Sequence, residues 1–304
     1  MKNQISDNIW SILLCPYCGS HIYTSKNGAI CSICNTNYLY TKSGNIDFRL
    51  QKPKTYSFDF NLGTNLLPEK NFEFRVLPIN NNPEVNYSKM EIPRHLSKEI
   101  LSHFPKSKKK SSMMLDLGCG NMINKEVCEY AGFNYVGLDN ESDPATTNAN
   151  IIGDAHSLPF KDESFEFILS IAVLEHIRFP FIAIKEAHRV LKKNGILIGT
   201  VAFLEPFHGD SFYHHSHLGT YNVLKEGGFK IDKICTDNKY LVLLAQAKMG
   251  LFPKMPLFLS KLIIMPVNII HRIWWKIGSL FSKRASEDIR IRNTAGAFSF
   301  IARK

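Results

Sequence analysis

Residues 113–120 read Met-Met-Leu-Asp-Leu-Gly-Cys-Gly, a short apolar run that ends near a carboxylate and then breaks into a glycine turn. The run predicts a buried strand, and a helix is expected after it, over about residues 123–130. Glycines at the turn let the backbone approach a ligand closely, and the N-terminus of the following helix points free N–H groups at it. This stretch therefore predicts a site for a nucleotide-like cofactor.

Two features argue against a dinucleotide. The dinucleotide fingerprint needs a third glycine three residues after the second, and that position holds Ile123. Asp116 lies just before the turn, where its charge disfavours a diphosphate and suits an ammonium or sulfonium centre. A second apolar run ends in Asp139, about 20 residues past the glycines, where such folds place a carboxylate on ribose hydroxyls.

Several further blocks follow in a fixed order. The blocks are residues 115–120, 136–139, 153–160 and 167–176, followed by a helix, turn and strand over 186–201. In these blocks, which extend over roughly residues 96–235, the chain resembles the class I S-adenosylmethionine-dependent methyltransferases. The resemblance implies an α/β fold: a Rossmann-like, seven-stranded, mostly parallel sheet with helices on both faces, and S-adenosylmethionine as the cofactor.

The resemblance also implies roles for individual residues. These are Asp116, Gly118 and Gly120 around the methionine part of the cofactor, Asp139 at the ribose, Asp154 and Ala155 at the adenine, and Ile171 as a wall beside the cofactor. Carboxylates around a sulfonium cation stabilise it without touching its methyl group. Transfer is then an in-line displacement that is helped mainly by positioning.

Four cysteines near the N-terminus form an independent signal. Cys15, Cys18, Cys31 and Cys34 have the spacing C-x2-C-x12-C-x2-C, which predicts four thiolates around a structural zinc ion. The alternative is a pair of disulfides. No long apolar region precedes the cysteines, so a secretory signal is not indicated and a reducing, cytoplasmic location is expected. The segment that follows them resembles the end of the short zinc ribbons found ahead of some bacterial methyltransferases.

The chain of 304 residues has room for one large α/β domain and a small module. We expect a zinc ribbon over residues 1–50, a connector and lid over 51–95, and the methyltransferase domain over 96–304. The formal net charge of +10 has one source in the lysine run at 106–110, which is typical of a solvated loop. The remaining positive charge is suited to RNA phosphates or to anionic lipid.

Residues 208–217 hold four of the eleven histidines and follow the fifth strand of the predicted sheet. The candidate proton acceptors are His208, His214, His215 and His217, together with His176. A histidine there can take a proton from an acceptor hydroxyl because its pKa lies near neutrality. The alternatives are ordinary polar loop residues, or a second metal site supported only by Asp210.

An apolar insertion is expected at about residues 240–289, before a final strand at 294–302. Within it, residues 250–284 carry only positive charges among large apolar side chains, and no uncharged run reaches the roughly 18 residues of a membrane span. The pattern suits a helical pair at a bilayer surface, peripheral to the inner face of the membrane, with Trp274 and Trp275 at headgroup level. The alternatives are an apolar lid, a dimer contact or core packing.

The preferred function is methyl transfer to a hydroxyl of a sugar, of a glycan precursor or lipid-linked intermediate, or of another small metabolite. The first alternative is an RNA base methyltransferase, because some bacterial enzymes that methylate a ribosomal guanine carry a zinc ribbon on this fold. The Asn-Pro-Pro-Tyr motif of exocyclic amine transfer is absent, since residues 170–173 read Ser-Ile-Ala-Val. The second alternative is a non-catalytic adaptor that binds the cofactor without turnover.

Overall fold

The computed structural model describes residues 5–41, 44–59, 76–141, 147–206, 209–236, 242–282 and 286–304. Two sheets lie within these ranges. The smaller sheet belongs to the cysteine module and pairs three antiparallel strands in the order β1-β2-β3. Its strands are β1 (Ile22–Ser25), β2 (Gly28–Cys31) and β3 (Asn37–Leu39).

The larger sheet has eight strands in the order β10-β11-β9-β8-β5-β6-β7-β4. Its strands are β4 (Ile46–Asp47), β5 (Met113–Leu117), β6 (Asn134–Asp139), β7 (Ile151–Ile152), β8 (Phe165–Ile171), β9 (Leu191–Ala202), β10 (Lys230–Thr236) and β11 (Ala297–Arg303). Strands β4 to β9 are parallel, whereas β11 pairs antiparallel with both β9 and β10. Seven of these strands form the expected sheet. The eighth, β4, comes from the N-terminal module and extends the edge at β7.

Helices cover the sheet and cap its loops. They are α1 (Asp7–Trp10), α2 (Lys98–Leu101), α3 (Lys125–Tyr130), α4 (Pro180–Val190), α5 (His217–Glu226), α6 (Val242–Ala245), α7 (Leu257–Phe281) and α8 (Glu287–Asn293). The central strand β5 is buried along its whole length, which is why it reads as a near-continuous apolar run. Its buried carboxylate, Asp116, is the exception in that run.

The cysteine module and the α/β domain share a core. Leu13, Tyr38 and Phe48 pack in the same buried cluster as Phe160 and Leu138. Backbone hydrogen bonds from Leu14 N to Pro159 O (3.0 Å) and from Lys161 N to Ile12 O (2.8 Å) join the two parts directly. The module is therefore an integral layer of the fold, because unfolding it would expose part of the domain's own core.

The insertion lies between β10 and β11, before the final strand, as the sequence indicates. The expected helical pair is wrong: the segment forms one helix of 25 residues, α7, preceded by a short π-helical segment, Gln246–Leu251. This helix continues through Pro266. By length and composition alone, α7 is long and apolar enough to cross a membrane. The sequence did not indicate this, because charged residues interrupt its apolar run.

Candidate functional site

The predicted cofactor residues meet at one edge of the large sheet. Strands β5, β6, β7 and β8 are parallel, so their carboxyl ends point the same way. Leu117 pairs with Leu138, and Asp139 pairs with Ile152, which aligns the loops that follow these strands. Ligands of open α/β sheets bind at this edge.

Asp116 is fully buried near the end of β5 and is held from two sides. Tyr135 donates its hydroxyl proton to Asp116 Oδ2 at 2.7 Å, and Asn124 Nδ2 donates to the same oxygen at 3.3 Å. Within the part of the chain that the structure describes, Oδ1 has no hydrogen-bond partner. An unpaired buried carboxylate oxygen carries a desolvation cost, which a cation or N–H donor from a bound molecule would offset.

Burial raises the pKa of Asp116 from 3.8 to about 6, and the nearby charge of Asp139 adds to the rise, while the Tyr135 and Asn124 hydrogen bonds oppose it. A raised pKa means that the folded state binds this proton more tightly than the unfolded chain does. The contribution of Asp116 to stability is therefore highest below pH 3.8 and is lost as the pH rises through 6. The shift corresponds to about 3 kcal/mol at neutral pH.

The glycine turn brings backbone close to the ends of β6 and β8. Gly118 has a φ of +74°, and a Cβ there would lie 2.4 Å from Val173 Cγ2, so only glycine is accommodated. Gly120, with a φ of +49°, donates its N–H to Asp139 Oδ2 at 2.8 Å. Asp139 also accepts from Glu141 N at 2.9 Å, and these two bonds orient its carboxylate.

Asp154 and Ala155 follow β7 at the same edge. Asp154 Oδ1 lies 2.6 Å from His156 Nδ1 and also accepts from the His156 backbone N–H. His156 Nε2 in turn accepts from Phe179 N at 3.1 Å, which fixes the ring between two partners. Despite the cost of burial, the side-chain and backbone hydrogen bonds from His156 lower the pKa of Asp154.

Ile171 ends β8 and is half-buried. The next residue, Ala172, has a φ of +54°, a conformation that costs a non-glycine residue free energy. Thr200 holds it there, since its Oγ1 and carbonyl both accept from Ala172 N, at 3.0 and 3.1 Å. The backbone is thus strained where β8 leaves the sheet, beside the glycine turn.

The four N-terminal cysteines form one cluster, with their sulfur atoms all within 4.8 Å of one another. The Sγ atoms of Cys15 and Cys34 are 3.5 Å apart, as are those of Cys18 and Cys31. Disulfide sulfurs would be about 2.05 Å apart, whereas tetrahedral thiolates around zinc at about 2.3 Å lie close to the observed spacing. The thiolate set suits a closed zinc site, and the cysteines are free thiols in this structure.

This cluster contacts the loop that carries Asp154. The carbonyl of Pro16, within the first Cys-x2-Cys pair, accepts from Ser157 Oγ at 2.6 Å and from Lys54 Nζ at 2.5 Å. Lys54 also donates to Ser157 Oγ at 2.9 Å. Since Ser157 directly follows His156, the cysteine module supports the segment that orients Asp154.

The described histidines of the 208–217 segment lie in different environments. His208 lies outside the described residues. His214 Nδ1 is 2.7 Å from the Phe203 carbonyl, and His217, which begins α5, packs its ring against Phe298 at a centroid distance of 5.9 Å. His176 Nδ1 is 3.4 Å from the Asp210 carbonyl.

His215 is the buried member of this group. Its backbone N–H donates to the Ala202 carbonyl at the end of β9, and its ring hydrogen-bonds the Leu174 backbone. Burial lowers the pKa of His215 below 6.5, with the Leu174 bond opposing the shift. Among the described residues, none hydrogen-bonds its Nε2. His215 is thus a neutral imidazole at pH 7 with one unused ring nitrogen.

Glu175 holds this loop at the sheet edge. Its backbone carbonyl accepts from Phe212 N (2.7 Å) and Tyr213 N (3.1 Å), and its buried carboxylate accepts from Ala202 N at 3.2 Å. Sequence reasoning assigned no role to Glu175, nor to Tyr135, Asn124 and His156. The signal for Glu175 was its position after an apolar strand inside a recognised block. Tyr135, Asn124 and His156 act through side-chain contacts that the spacing of residues along the chain does not predict.

A family model described as "Methyltransferase domain" matches residues 115–199. Residues 115–199 thus carry a methyltransferase domain. The matched stretch runs from the middle of β5 into β9 and includes all seven predicted cofactor residues.

Curated relatives are similar over this region. A putative methyltransferase of Encephalitozoon cuniculi is 38% identical over 93 residues, which cover 29% of this chain and 44% of that protein. The mitochondrial arginine-hydroxylase NDUFAF5 of Homo sapiens is 29% identical over 126 residues, which cover 38% of this chain and 35% of that protein. The chain thus spans less than half the length of these relatives.

Solved structures are similar at a lower level. The [4+2]-cyclase SpnF aligns with 64% of this chain and 75% of its own at 21% identity and a TM-score of 0.41. A complex of the Haloferax volcanii Trm112 methyltransferase activator with a putative methyltransferase aligns with 69% and 88% at 16% identity and a TM-score of 0.43. Likeness at this level carries no functional conclusion.

The first prediction concerns the charge on Asp116. If this carboxylate receives the cofactor's ammonium group, S-adenosylmethionine should bind about 10-fold more weakly at pH 5 than at pH 7, because the carboxyl is then mostly protonated. Asp116→Asn should lose at least 10-fold in affinity at pH 7 and lose the pH dependence, as expected for a lost charged hydrogen bond. Calorimetric titration of the purified chain measures both.

Tyr135→Phe serves as the graded variant. It removes the hydroxyl that stabilises the ionised carboxylate, so the fall in affinity should begin at a higher pH than in wild type. Stability gives a separate readout: at pH 8 the free energy of unfolding of Asp116→Asn should be no lower than that of wild type. Wild-type affinity in Asp116→Asn would refute the assignment.

The second prediction concerns the metal. Elemental analysis should find one zinc per chain, and its removal by a chelator should weaken S-adenosylmethionine binding several-fold, because the cysteine module supports the loop of Asp154. Ser157→Ala should weaken binding with zinc retained. Ser11→Ala is the matched control, since Ser11 Oγ bonds only the Asn8 carbonyl of its own turn.

A chain purified without zinc, with the four cysteines in disulfides, would contradict the site. Full cofactor affinity in the zinc-free protein would contradict the claim that the cysteine module supports the loop that carries Asp154.

Proposed function

We propose that this protein transfers a methyl group from S-adenosylmethionine to a hydroxyl of a sugar, a glycan precursor or another small metabolite. The observation that carries the cofactor assignment is the unpaired buried oxygen of Asp116 beside the glycine turn. Methyl transfer itself rests on the family of residues 115–199.

The residues of this edge suit each part of the cofactor. Asp116 Oδ1 would accept from the ammonium group, and Asp139, already oriented by Gly120, would accept from the ribose hydroxyls. Asp154 and the backbone of Ala155 would meet the adenine, with Ile171 as an apolar wall. When bound, S-adenosylmethionine supplies an electrophilic methyl group on a sulfonium, and the protein's part is to align it with the acceptor.

His215 supports a hydroxyl as the acceptor. A hydroxyl becomes a better nucleophile when a base removes its proton, and a neutral histidine at pH 7 is suited to that step. The unused Nε2 would accept the hydroxyl proton, which would also relieve the cost of leaving a buried nitrogen unpaired. The carboxyl end of β9, to which His215 bonds, belongs to the same edge as the cofactor residues.

The distribution of charge makes RNA the weaker acceptor. Lys106, Lys108, Lys109 and Lys110 are exposed, but they precede β5, so they lie at the amino-terminal edge of the sheet, opposite the cofactor edge. The Asn134 side chain, at the start of β6, bonds the Lys110 carbonyl and fixes the run there. Phosphates bound by these lysines would sit away from the cofactor.

Other chemistry is known for similar chains, since one relative is named an arginine-hydroxylase. The activity test must therefore detect the methyl group itself. Methyl-labelled S-adenosylmethionine with the full chain should label a small-molecule fraction of a cell extract and should leave the RNA fraction unlabelled. Label in RNA would establish the first alternative, and cofactor binding without any labelled product would establish the adaptor.

The third prediction concerns His215. His215→Gln should lower turnover about 100-fold or more, the usual contribution of a general base, with S-adenosylmethionine affinity unchanged. The wild-type rate should fall with decreasing pH on the acidic side of the usual histidine pKa, because protonation of a base with a lowered pKa removes its lone pair. Initial rates across pH 5–9 measure this.

The matched control is His21→Gln, at an exposed histidine of the cysteine module. It should keep the wild-type rate and pH profile. Wild-type turnover in His215→Gln would eliminate this base and leave the acceptor assignment without support.

A further inference from the structure

Helix α7 presents large apolar side chains to solvent along its whole length. The exposed fractions of Ile270, Trp274, Leu280 and Phe281 are 67%, 73%, 77% and 84%. Only 6% of its most apolar 18-residue window is buried. A soluble monomer rarely exposes a continuous apolar face of this length, about 37 Å at 1.5 Å per residue.

The side of α7 that faces the protein is the more polar one. Ser260, Ile264, Asn268, His271 and Trp275 recur at helical spacing and form its buried or half-buried side. A cavity of about 520 Å³ between α7, α6 and α8 is lined by polar residues such as Asn268 and Arg290 and by apolar residues such as Leu243, Leu262 and Met265. A helix that served as a lid or a core element would turn its apolar face inward. This helix instead leaves most of its large apolar side chains exposed.

The outward side is apolar and is flanked by positive charge. Its residues include Ile269, Ile270, Ile273, Trp274 and Ile277. Lys261, Arg272 and Lys276 are the charged residues of the helix, and all three are basic. No aspartate or glutamate occurs from residue 238 to residue 286. Two copies packed through this face would bring like charges together, whereas anionic headgroups complement them.

We propose that α7 docks this protein on a bilayer that contains anionic lipid, lying in the plane of the interface. Its outward side chains enter the acyl boundary, and Lys261, Arg272 and Lys276 meet lipid phosphates. The in-plane arrangement follows from the polar side, because Asn268, His271 and Arg272 lie in the middle of the helix. A spanning helix would place these groups at the centre of the bilayer, where they are costly.

The docking surface connects to the candidate active edge. Gln246, before α7, donates its side-chain N–H to the Leu204 carbonyl at 3.4 Å, just beyond the end of β9. Gly250 packs against Pro206 in the same loop. A membrane-borne acceptor would therefore meet the protein near its cofactor edge. This last point rests on the proposed function, whereas docking itself does not.

The test is flotation of the full chain with vesicles. The protein should float with vesicles of phosphatidylcholine and phosphatidylglycerol and remain unbound with phosphatidylcholine alone. Flotation separates bound protein from aggregates, which stay at the bottom. Neutralising Lys261, Arg272 and Lys276 should weaken binding up to about 100-fold, at roughly fivefold for each basic side chain near the surface.

A second variant tests the outward apolar side of α7. Ile270→Glu with Trp274→Glu should lower vesicle binding at least 10-fold while melting temperature and S-adenosylmethionine affinity stay unchanged, because both side chains point outward. The matched control is Tyr23→Glu with Ile79→Glu, two exposed apolar residues elsewhere, at 61% and 55% exposure. The control should bind vesicles as wild type does.

Orientation is tested by quenching of tryptophan fluorescence with brominated lipids, in a Trp10→Phe background that leaves only Trp274 and Trp275. Shallow quenching supports the in-plane helix, and quenching strongest at the bilayer centre would overturn it in favour of a span. Wild type that ignores anionic vesicles would overturn docking. A dimer in light scattering that Ile270→Glu with Trp274→Glu dissociates, without vesicle binding, would assign the face to a second copy.

Discussion

A buried carboxylate with one unpaired oxygen is the constraint on which the cofactor edge depends. Asp116 occupies a position in β5 where an apolar residue would stabilise the sheet more, and Tyr135 and Asn124 compensate only one of its oxygens. The protein thus holds a charge site that is unfavourable when empty and favourable when a cation arrives. Function and stability make opposite demands at this residue, as is common at binding sites.

The N-terminal module is a second constraint, because it is built into the fold rather than appended to it. Its chain adds strand β4 to the large sheet and pairs residues 12–16 with the segment after Asp154. A zinc ion in the cysteine cluster would thereby stabilise a loop of the cofactor site at some distance from the chemistry. The module and the domain share one buried cluster, so they are expected to unfold together.

The sequence was sufficient to predict a mostly parallel sheet, because buried parallel strands leave apolar runs and their loops leave glycines and carboxylates. It was also sufficient to bring Asp116, Asp139 and Asp154 to one edge. It did not predict that Tyr135 holds Asp116, because that contact joins side chains from neighbouring strands and depends on the register of β5 with β6. The same holds for His156, which reaches Asp154 through a tight local turn.

The single long helix of the insertion was not predicted, for a different reason. Charges and Pro266 interrupt its apolar run, so the pattern suggested two helices, yet the backbone continues as one. A proline inside a helix removes one hydrogen bond and is tolerated at a cost. Which side of α7 faces the domain is set by packing with α6 and α8, and this decides that the apolar side lies outside.

The central claim is that the cofactor's ammonium group pairs with the ionised form of Asp116 and so draws off the proton that the free protein partly retains at pH 6. Proton release on binding tests it most directly. Calorimetric titration of S-adenosylmethionine at pH 6, in buffers of different ionisation enthalpy, should show about half a proton released per molecule bound, given a pKa of about 6 in the free protein. The release should vanish in Asp116→Asn. Binding at pH 6 without proton release, or no binding at all, would contradict the account.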